Sequence, residues 1–430
     1  MLRIIETFSG IGSQVQALKN SNLVHEVVAI VEWEIGAMYA YDIMHNGPQN
    51  LKEYRHHTKE SLLDILSKFA LSSDGKVAMS NRALNATPTI QLKGILSAIE
   101  RNNNFVDITN VHASDLPAAD VLTYSFPCQD LSVSGHWHNN TSGIDRDANN
   151  RSTLLWEIER ILKEYTETEK ELPNFLLMEN VSNILSNKHI GNFNEWQSYL
   201  ESLGYVNKIY TLNARNFGVP QSRNRTYLVS VLAKNVEQID EINEYFMVND
   251  LERIPLIEEH IAPIGEFLRL DYSIDKYKQE AIESTPIFTQ SRKKIYENNI
   301  ILATDDISNN KQFARTITTK QDRHPNSGII EYKNIVLTDI NKKYRNLTPR
   351  ECFLLMGFKE SQFDLLIENN ADMGFNRKVL SQSKLIQLAG NSIVVQVLEQ
   401  IFLQINEIND NILSVSGKSS DKKELIETAI

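Results

Sequence analysis

Short apolar runs alternate with helical patterns through the first half of the chain, and this alternation constrains the fold more than any other feature. The runs that predict strands lie at 4–8, 27–31, 120–124, 175–178 and 226–232. Helical patterns lie between them, at 13–20 and 154–164. Such alternation is typical of a mostly parallel sheet with helices on both faces. We therefore predict an α/β fold whose chemistry lies at the carboxyl ends of the strands.

Length and composition allow more than one domain in a reducing compartment. The chain has 430 residues, 41% of them hydrophobic and 23% charged, which is ordinary for a globular protein. Two cysteines cannot build a disulfide framework. The amino terminus lacks a signal-peptide pattern, and no apolar run reaches the length of a membrane span. We therefore expect a soluble cytoplasmic protein.

The net charge of −11 argues against a nucleic-acid partner, but the charge is unevenly distributed. Residues 235–290 contain 13 acidic and 4 basic side chains, whereas residues 291–350 contain 6 acidic and 12 basic ones. The second segment can therefore supply a local basic face, although solvated surface charges would give the same pattern.

Three departures from the strand–helix rhythm suggest the domain boundaries. Residues 46–104 show two apolar helical faces, which predict an inserted pair of amphipathic helices packed on the sheet edge. After residue 233 the rhythm is lost, and we predict a second, strand-and-loop domain over 234–384. Helical patterns at 383–388 and 393–405 follow. We therefore assign 1–233 and 385–430 to one domain.

A glycine-containing turn follows the first predicted strand. It runs from Phe8 to Ser13, and Glu32 lies at the end of the second strand, where an acid can bind ribose hydroxyls. This also fits an NAD-binding fingerprint, so an oxidoreductase is one reading. However, Val15 stands where that fingerprint has its third glycine, which weakens the case for a pyrophosphate. S-adenosylmethionine has a ribose and an adenine but no phosphate, and fits better.

Candidate reacting groups lie at the ends of other strands. Cys128 follows Pro127 and the apolar run 120–124, as a nucleophile at a sheet edge would. Glu179 ends the strand that begins at 175. Arg223 and Arg225 precede or begin the strand 226–232, and strand alternation puts them on one face with Gln221. Each feature also has a purely structural interpretation. The Pro127-Cys128 segment would be a turn in the core, Glu179 would be a helix cap, and the two arginines would belong to a surface ion-pair ladder.

Taken in order, these motifs resemble those of the cytosine-5 DNA methyltransferases of bacterial restriction-modification systems. The matching segments are Phe8-x-Gly10-x-Gly12, Glu32-Trp33, Asp107-Ile108, Pro127-Cys128-Gln129, Glu179-Asn180-Val181, Gln221-x-Arg223-x-Arg225, Arg345 to Glu351 and Gly390 to Val394. The resemblance spans nearly the whole chain. The chain departs from the family at Ser9 and Ser13, where Ala and Gly are frequent, and at Ser152, where Gly is common. The 130–150 loop and the 46–104 insertion are also longer than in the smallest members.

The resemblance implies a Rossmann-like methyltransferase domain and a smaller target-recognition domain. It implies that Cys128 adds to carbon 6 of a flipped cytosine, and that Glu179 holds ring nitrogen 3 and the exocyclic amine. Arg225 would bind the carbonyl oxygen, supported by Arg223 and Gln221. The expected cofactor is S-adenosylmethionine and no metal is expected. The implied cofactor residues are Phe8, Ser9, Gly10, Ile11, Gly12, Glu32, Trp33, Asp107, Ile108, Pro127, Leu154, Asn391 and Ser392.

The expected partner is double-stranded DNA, bound by a monomer without a membrane. A cognate restriction endonuclease acting on the same site is a further expectation. Gln129, Ser132 and Ser134 would enter the groove or hold the flipped nucleotide, and Arg151 would contact phosphate. In the basic segment, base-edge donors and acceptors stand among turn formers. We predict that Thr318, Thr319, Gln321 and Arg323 read the target, with plain phosphate contacts as the alternative.

Three other functions stay open at this point. A tRNA cytosine-5 methyltransferase shares these motifs, although the long 234–344 segment favours the reading of a duplex. A catalytically idle DNA-binding module is a second alternative, and retention of Cys128, Glu179 and both arginines argues against it. The NAD oxidoreductase is the third.

Overall fold

The computed structural model describes residues 1–127, 131, 144–146, 151–287, 289–302, 312–323, 326–332, 344–373 and 377–414. Four predicted site residues, Cys128, Gln129, Ser132 and Ser134, lie outside the described residues. The side chain of Arg151 also lies outside them.

The strands, in chain order, are β1 (Leu2–Thr7), β2 (His25–Val31), β3 (Val121–Tyr124), β4 (Phe175–Val181), β5 (Tyr205–Asn213), β6 (Gln221–Ser222), β7 (Asn224–Leu232), β8 (Ile301–Leu302), β9 (Ala314–Arg315), β10 (Ile329–Glu331) and β11 (Tyr344–Asn346). Six of them form the central sheet in the order β2-β1-β3-β4-β7-β5. The first four are parallel, and β7 runs antiparallel to both β4 and β5. The carboxyl ends of β1, β3 and β4 and the amino end of β7 therefore share one edge.

The α-helices, in chain order, are α1 (Ser13–Asn20), α2 (Ile35–Asn46), α3 (Lys59–Leu66), α4 (Asn81–Ala86), α5 (Thr89–Arg101), α6 (Leu155–Glu167), α7 (Ile190–Ser202), α8 (Val236–Val248), α9 (Asp275–Glu283), α10 (Gln290–Glu297), α11 (Pro349–Leu355), α12 (Glu360–Glu368), α13 (Gln382–Asn391) and α14 (Val395–Ile408).

Helices cover both faces of the sheet. Because side chains along a strand alternate between its faces, successive residues of β4 contact helices on opposite sides. In β4, Leu177 joins the apolar cluster that contains Phe402 of α14, while Met178 joins the cluster of Ile158 and Trp196 from α6 and α7. Burying each such side chain stabilises the fold by about 1.5–3 kcal/mol. The predicted α/β fold is confirmed.

The sequence patterns located the buried strands but missed β5. This strand lies at the sheet edge, and much of it, including Lys208, is only half-buried. An edge strand has neighbours on one side only, so it lacks the continuous apolar run that marked β3 and β4. A polar partner from the 3₁₀ turn Leu251–Arg253 bonds to it instead: the amide of Thr211 donates to the Glu252 carboxylate at 2.6 Å.

The insertion over 46–104 contains three helices, α3, α4 and α5, rather than the predicted pair. The short α4 escaped notice because only Leu84 is buried in it, so it has no apolar stripe. The Ser80 side chain caps its amino end by accepting from the amide of Ala83. The insertion has an apolar cluster of its own, which includes Leu62 and Leu92, and α5 packs against α2.

The strand-and-loop description of 234–384 was incomplete, because the described part of this segment also contains the helices α8 to α12. Capping residues that the composition obscured start three of them: Asn235 for α8, Thr289 for α10 and Thr348 for α11. The strands there are only two or three residues long, and β9 pairs in parallel with β6. This pairing joins the segment directly to the edge where β7 begins.

One stretch, Gln382–Leu413, passes the length and composition test for a membrane span, which the sequence analysis did not expect. Its most apolar window is 67% buried inside the protein. It comprises α13 and α14, and the apolar face of α14 lies against the central sheet. These residues therefore form a core helix pair.

Candidate active site

The glycine turn after β1 is folded in the left-handed region. Gly10 has φ +57° and Gly12 φ +80°, a region that residues with a Cβ adopt rarely. A Cβ on Gly12 would lie 2.4 Å from Nε2 of His45, so this position also needs the absence of a side chain. At Gly10, by contrast, an added Cβ would meet nothing within 4 Å. The turn therefore packs tightly against α2 at Gly12, whereas the space next to Gly10 is open.

His45 holds the glycine turn in place through a hydrogen bond. Its Nε2 lies 2.9 Å from the carbonyl oxygen of Ile11. Because a carbonyl can only accept, Nε2 must carry the hydrogen. Burial lowers the pKa of His45 to about 3, so the ring is neutral at physiological pH. The sequence analysis missed this residue, which belongs to no motif.

Glu32 directly follows β2, and both of its carboxylate oxygens accept hydrogen bonds. Oε2 accepts from the amide of Gly10 at 2.9 Å, and Oε1 accepts from the amide of Glu34 at 2.8 Å. Asn104 holds the Glu32 backbone through two further hydrogen bonds. Burial is the main cause that raises the pKa of Glu32, to about 7. The carboxylate is therefore held in a fixed position beside the backbone of Gly10.

Three other predicted cofactor residues, Trp33, Ile108 and Asp107, have different surroundings. Trp33 packs against the apolar cluster of the insertion, and Ile108 belongs to the cluster beneath β3. Before Asp107, Asn104 forms an isolated bridge with Ile30. Asp107 instead caps a 3₁₀ turn by accepting from the amide of Thr109.

Further predicted cofactor residues lie around the cysteine loop and at the start of α14. The carbonyl of Pro127 accepts from Oγ of Ser152 at 2.8 Å, so the serine at the family's glycine position ties the two ends of the loop together. Leu154 is half-buried against the same cluster as Ile108. Ser392 is buried, and Asn391 is exposed.

Glu179 and Arg225 form an ion pair where β4 and β7 meet. Nε of Arg225 lies 3.2 Å from Oε1 of Glu179, and their side chains are 16% and 12% exposed. Antiparallel pairing sets this contact, since it places Arg225 opposite Val181. Burial raises the pKa of Glu179, while the charges of Arg225 and Arg223 oppose the shift. A raised pKa means that Glu179 takes up a proton more readily than a free carboxylate does.

The ion pair lies beside the strand that leads to the cysteine. A narrow cleft is lined by Gln14, Thr123, Ser125, Leu177, Glu179, Ile393 and Leu398. It brings together α1, the end of β3, the end of β4 and the start of α14. Ser125 stands three residues before Cys128 in the chain.

Gln221 and Arg223 have different surroundings from Arg225. The amide of Gln221 donates to the carbonyl of Leu355 at 2.8 Å, and its oxygen accepts from the amide of Ile317 at 3.0 Å. Arg223 donates to the carbonyls of Ile317 at 2.8 Å, Gly390 at 3.1 Å and Ser392 at 2.7 Å. Both side chains therefore connect the β6–β7 region to the segment after β9, and Arg223 also connects it to the carboxyl end of α13.

The four residues expected to read the target are not equivalent. Arg323 and Thr318 are exposed, and Thr319 is half-buried. Gln321 is buried, and its amide donates to Oγ of Ser327 at 3.1 Å, so its side chain is directed into the protein.

Residues 88–407 match the family model for C-5 cytosine-specific DNA methylases. The chain belongs to this family. It is therefore a DNA cytosine-5 methyltransferase, and its cofactor is S-adenosylmethionine. The open face at Gly10 and the ordered Glu32 carboxylate fit the ribose-bearing part of that cofactor.

Curated relatives extend over most of the chain. The chain is 33% identical to the type II methyltransferase M2.ScrFI of Lactococcus lactis subsp. cremoris, over 94% of this chain and 99% of the relative. It is 41% identical to the orphan methyltransferase M.SssI of Spiroplasma monobiae, over 55% of this chain and 61% of that protein.

Solved structures show the same fold at low identity. The S. pombe Dnmt2 methyltransferase superposes with a TM-score of 0.56 at 19% identity, over 95% of this chain and 100% of that one. A putative DNA modification methyltransferase encoded within an E. coli prophage gives a TM-score of 0.51 at 16% identity, over 96% and 100%. At these identities the likeness concerns the fold alone.

Proposed function

We propose that this protein methylates carbon 5 of cytosine within a short duplex DNA sequence through a covalent adduct with Cys128. The observation that carries the proposal is the Glu179–Arg225 ion pair, which lies at the sheet edge that the chain leaves to reach Cys128. Carbon 5 of cytosine is a weak nucleophile, and covalent catalysis overcomes this difficulty.

In the proposed reaction, the Cys128 thiolate adds to carbon 6 and makes carbon 5 enamine-like. Glu179 shares a proton with ring nitrogen 3 and accepts from the exocyclic amine, which stabilises the activated base. Arg225 donates to the carbonyl oxygen of the base. S-adenosylmethionine supplies the electrophilic methyl group. Carbon 5 then loses its proton to water and Cys128 is expelled, which restores the aromatic ring.

The target cytosine must leave the helix stack, because its carbon 6 is inaccessible in a duplex. We propose that Gln129, Ser132, Ser134 and Arg151 hold the flipped nucleotide and its phosphate, and that 234–384 reads the surrounding sequence. Gln221 and Arg223 support this division, since they fasten the segment after β9 beside the active site. We further propose a cytoplasmic monomer of a restriction-modification system, in keeping with the type II methyltransferases among its relatives.

Methylation of a plasmid in cells that express the protein tests the proposal. Bisulfite sequencing should find 5-methylcytosine at one recurring short sequence, and a Cys128→Ala variant should give none. Purified protein should methylate DNA and leave tRNA unmodified. Methylation of tRNA alone would establish the competing activity.

A mechanism-based trap tests the covalent step separately. With 5-fluorocytosine at the target, carbon 5 has no proton to lose after methyl transfer, so the enzyme should stay bonded to the DNA. The complex should survive denaturation, require S-adenosylmethionine and be absent for Cys128→Ala. Normal methylation of ordinary DNA without any trapped complex would reject the elimination step.

A further inference from the structure

A turn of the insertion, around Ser72, lies directly against the residues that follow β2. The amide of Ile35 donates to the carbonyl of Ser72 at 2.9 Å, and the amide of Ser72 donates to the carbonyl of Trp33 at 2.8 Å. These two bonds make a short parallel bridge between the insertion and the residues that follow β2. The backbone beside Glu32 is thus held by a segment of the 46–104 insertion.

Side chains within the turn keep it closed. Oγ of Ser72 donates to the carbonyl of Val77 at 2.7 Å and accepts from the amide of Gly75 at 3.0 Å. Oδ1 of Asp74 accepts from the amide of Lys76 at 2.9 Å. A loop with its polar groups satisfied in this way is a firm support rather than a loose linker.

Lys384 of α13 connects this turn to the start of α2. Its Nζ donates to Oε1 of Glu34 at 3.1 Å and to the carbonyl of Ser73 at 3.0 Å. Gln387, one helical turn further on, donates to the carbonyl of Asp74 at 3.3 Å. The Lys384 side chain is 17% exposed and that of Glu34 is 8% exposed, so the pair is shielded from water.

Glu34 connects Lys384 to Glu32 through hydrogen bonds. Its carboxylate caps α2 by accepting from the amides of Gly36 and Ala37, while its own amide donates to Oε1 of Glu32. Two carboxylates are therefore held close together at the end of β2. Lys384 provides a positive charge beside Glu34, which stabilises that carboxylate next to Glu32.

We infer that Lys384, Glu34 and the turn around Ser72 are positioning elements for the cofactor: they hold Glu32 and Trp33 in the geometry that binds S-adenosylmethionine. The inference rests on the proposed role of Glu32 and Trp33 as cofactor residues. It gives the insertion a role in cofactor affinity, and it identifies α13 as the link between the end of the chain and the ribose site.

The test measures binding of S-adenosylhomocysteine by calorimetry, so that it does not depend on turnover. Lys384→Met should weaken this binding about 10-fold, because it removes a shielded charged hydrogen bond. Lys384→Arg should restore most of the affinity. At saturating S-adenosylmethionine, kcat should stay within about twofold of wild type. Lys163→Met, which removes an exposed ion pair on α6, is the matched control and should bind normally.

A second pair of variants tests the turn itself. Ser72→Ala should weaken S-adenosylhomocysteine binding, because it opens the turn. Ser67→Ala should not, since Oγ of Ser67 makes only an exposed bond within the same insertion. DNA affinity, measured by fluorescence anisotropy, should be unchanged in both variants.

Two outcomes would overturn the inference. One is wild-type S-adenosylhomocysteine affinity in both Lys384→Met and Ser72→Ala. The other is equal weakening in Lys384→Met and Lys384→Arg together with a lowered unfolding temperature, which would indicate a purely structural contact. Glu32→Ala separates this inference from the proposed function: unaltered binding in that variant would reject Glu32 as a cofactor residue whatever Lys384 does.

Discussion

The Glu6 carboxyl makes the stability of this protein depend on pH. Glu6 lies in β1, between Ile30 of β2 and Thr123 of β3, and it is 0% exposed. Burial is the main cause that raises its pKa from 4.5 to about 8, with Tyr41 and Lys19 opposing the shift. The group therefore enters the folded protein as a neutral acid.

The sign of the effect follows from proton binding. Between pH 4.5 and pH 8 the folded state keeps the Glu6 proton while the unfolded chain has released it. Stability is therefore fully present below pH 4.5 and is lost as the pH rises through 8, at about 1.4 kcal/mol per pH unit. The shift corresponds to about 5 kcal/mol over the whole interval.

The perturbation that tests this is Glu6→Gln, which keeps the shape and removes the ionisation. Urea unfolding at pH 5, 6, 7 and 8, followed by circular dichroism, should show a much flatter pH dependence in the variant than in wild type. Glu26→Gln, at an exposed position of β2, is the control and should keep the wild-type slope. Equal slopes in wild type and Glu6→Gln would refute the reasoning.

Three further predictions concern single side chains. Cys128→Ala should abolish methyl transfer, whereas Cys352→Ala should retain it in a methylation assay, because Cys352 is fully buried and burial raises the pKa of its thiol. Glu351→Gln should lower the free energy of unfolding by about 3–5 kcal/mol in urea titrations, since it leaves the fully buried Arg345 without its carboxylate; a loss below 1 kcal/mol would contradict this. Arg323→Ala should reduce discrimination at one base position by about 1–3 kcal/mol if it reads guanine. Methylation of single-base variants of the target measures this, and an unchanged preference at every position would reject Arg323 as a base reader.

The sequence predicted those parts of the fold whose signals are local. The helix α1 was located at its observed residues, and β3 and β4 were found because both faces of each are buried. The edge strand β5 and the short helix α4 have weaker apolar patterns, so periodicity did not reveal them. The position of Glu32 directly after β2 also followed from the order of elements, whereas β4 continues two residues beyond Glu179, to Val181.

Contacts between distant parts of the chain could not be predicted in this way. The motif pattern grouped Gln221 and Arg223 with Arg225, but strand alternation alone did not indicate that the first two bind carbonyl groups of Leu355 and Ile317. The Lys384–Glu34 pair joins residues 350 positions apart, and neither belongs to a sequence motif that we recognised. Such contacts depend on how helices pack against each other. The periodic patterns of a single sequence do not reveal that packing.

The place of α14 against the central sheet determines when this protein can finish folding. Residues Ile401 and Phe402 share an apolar cluster with Ile4 of the first strand. During synthesis that face of the sheet stays exposed to water until α14 has left the ribosome. A chain that ends before α14 should therefore aggregate rather than form a partly active enzyme. Methylation would then be available to the cell only from completed copies.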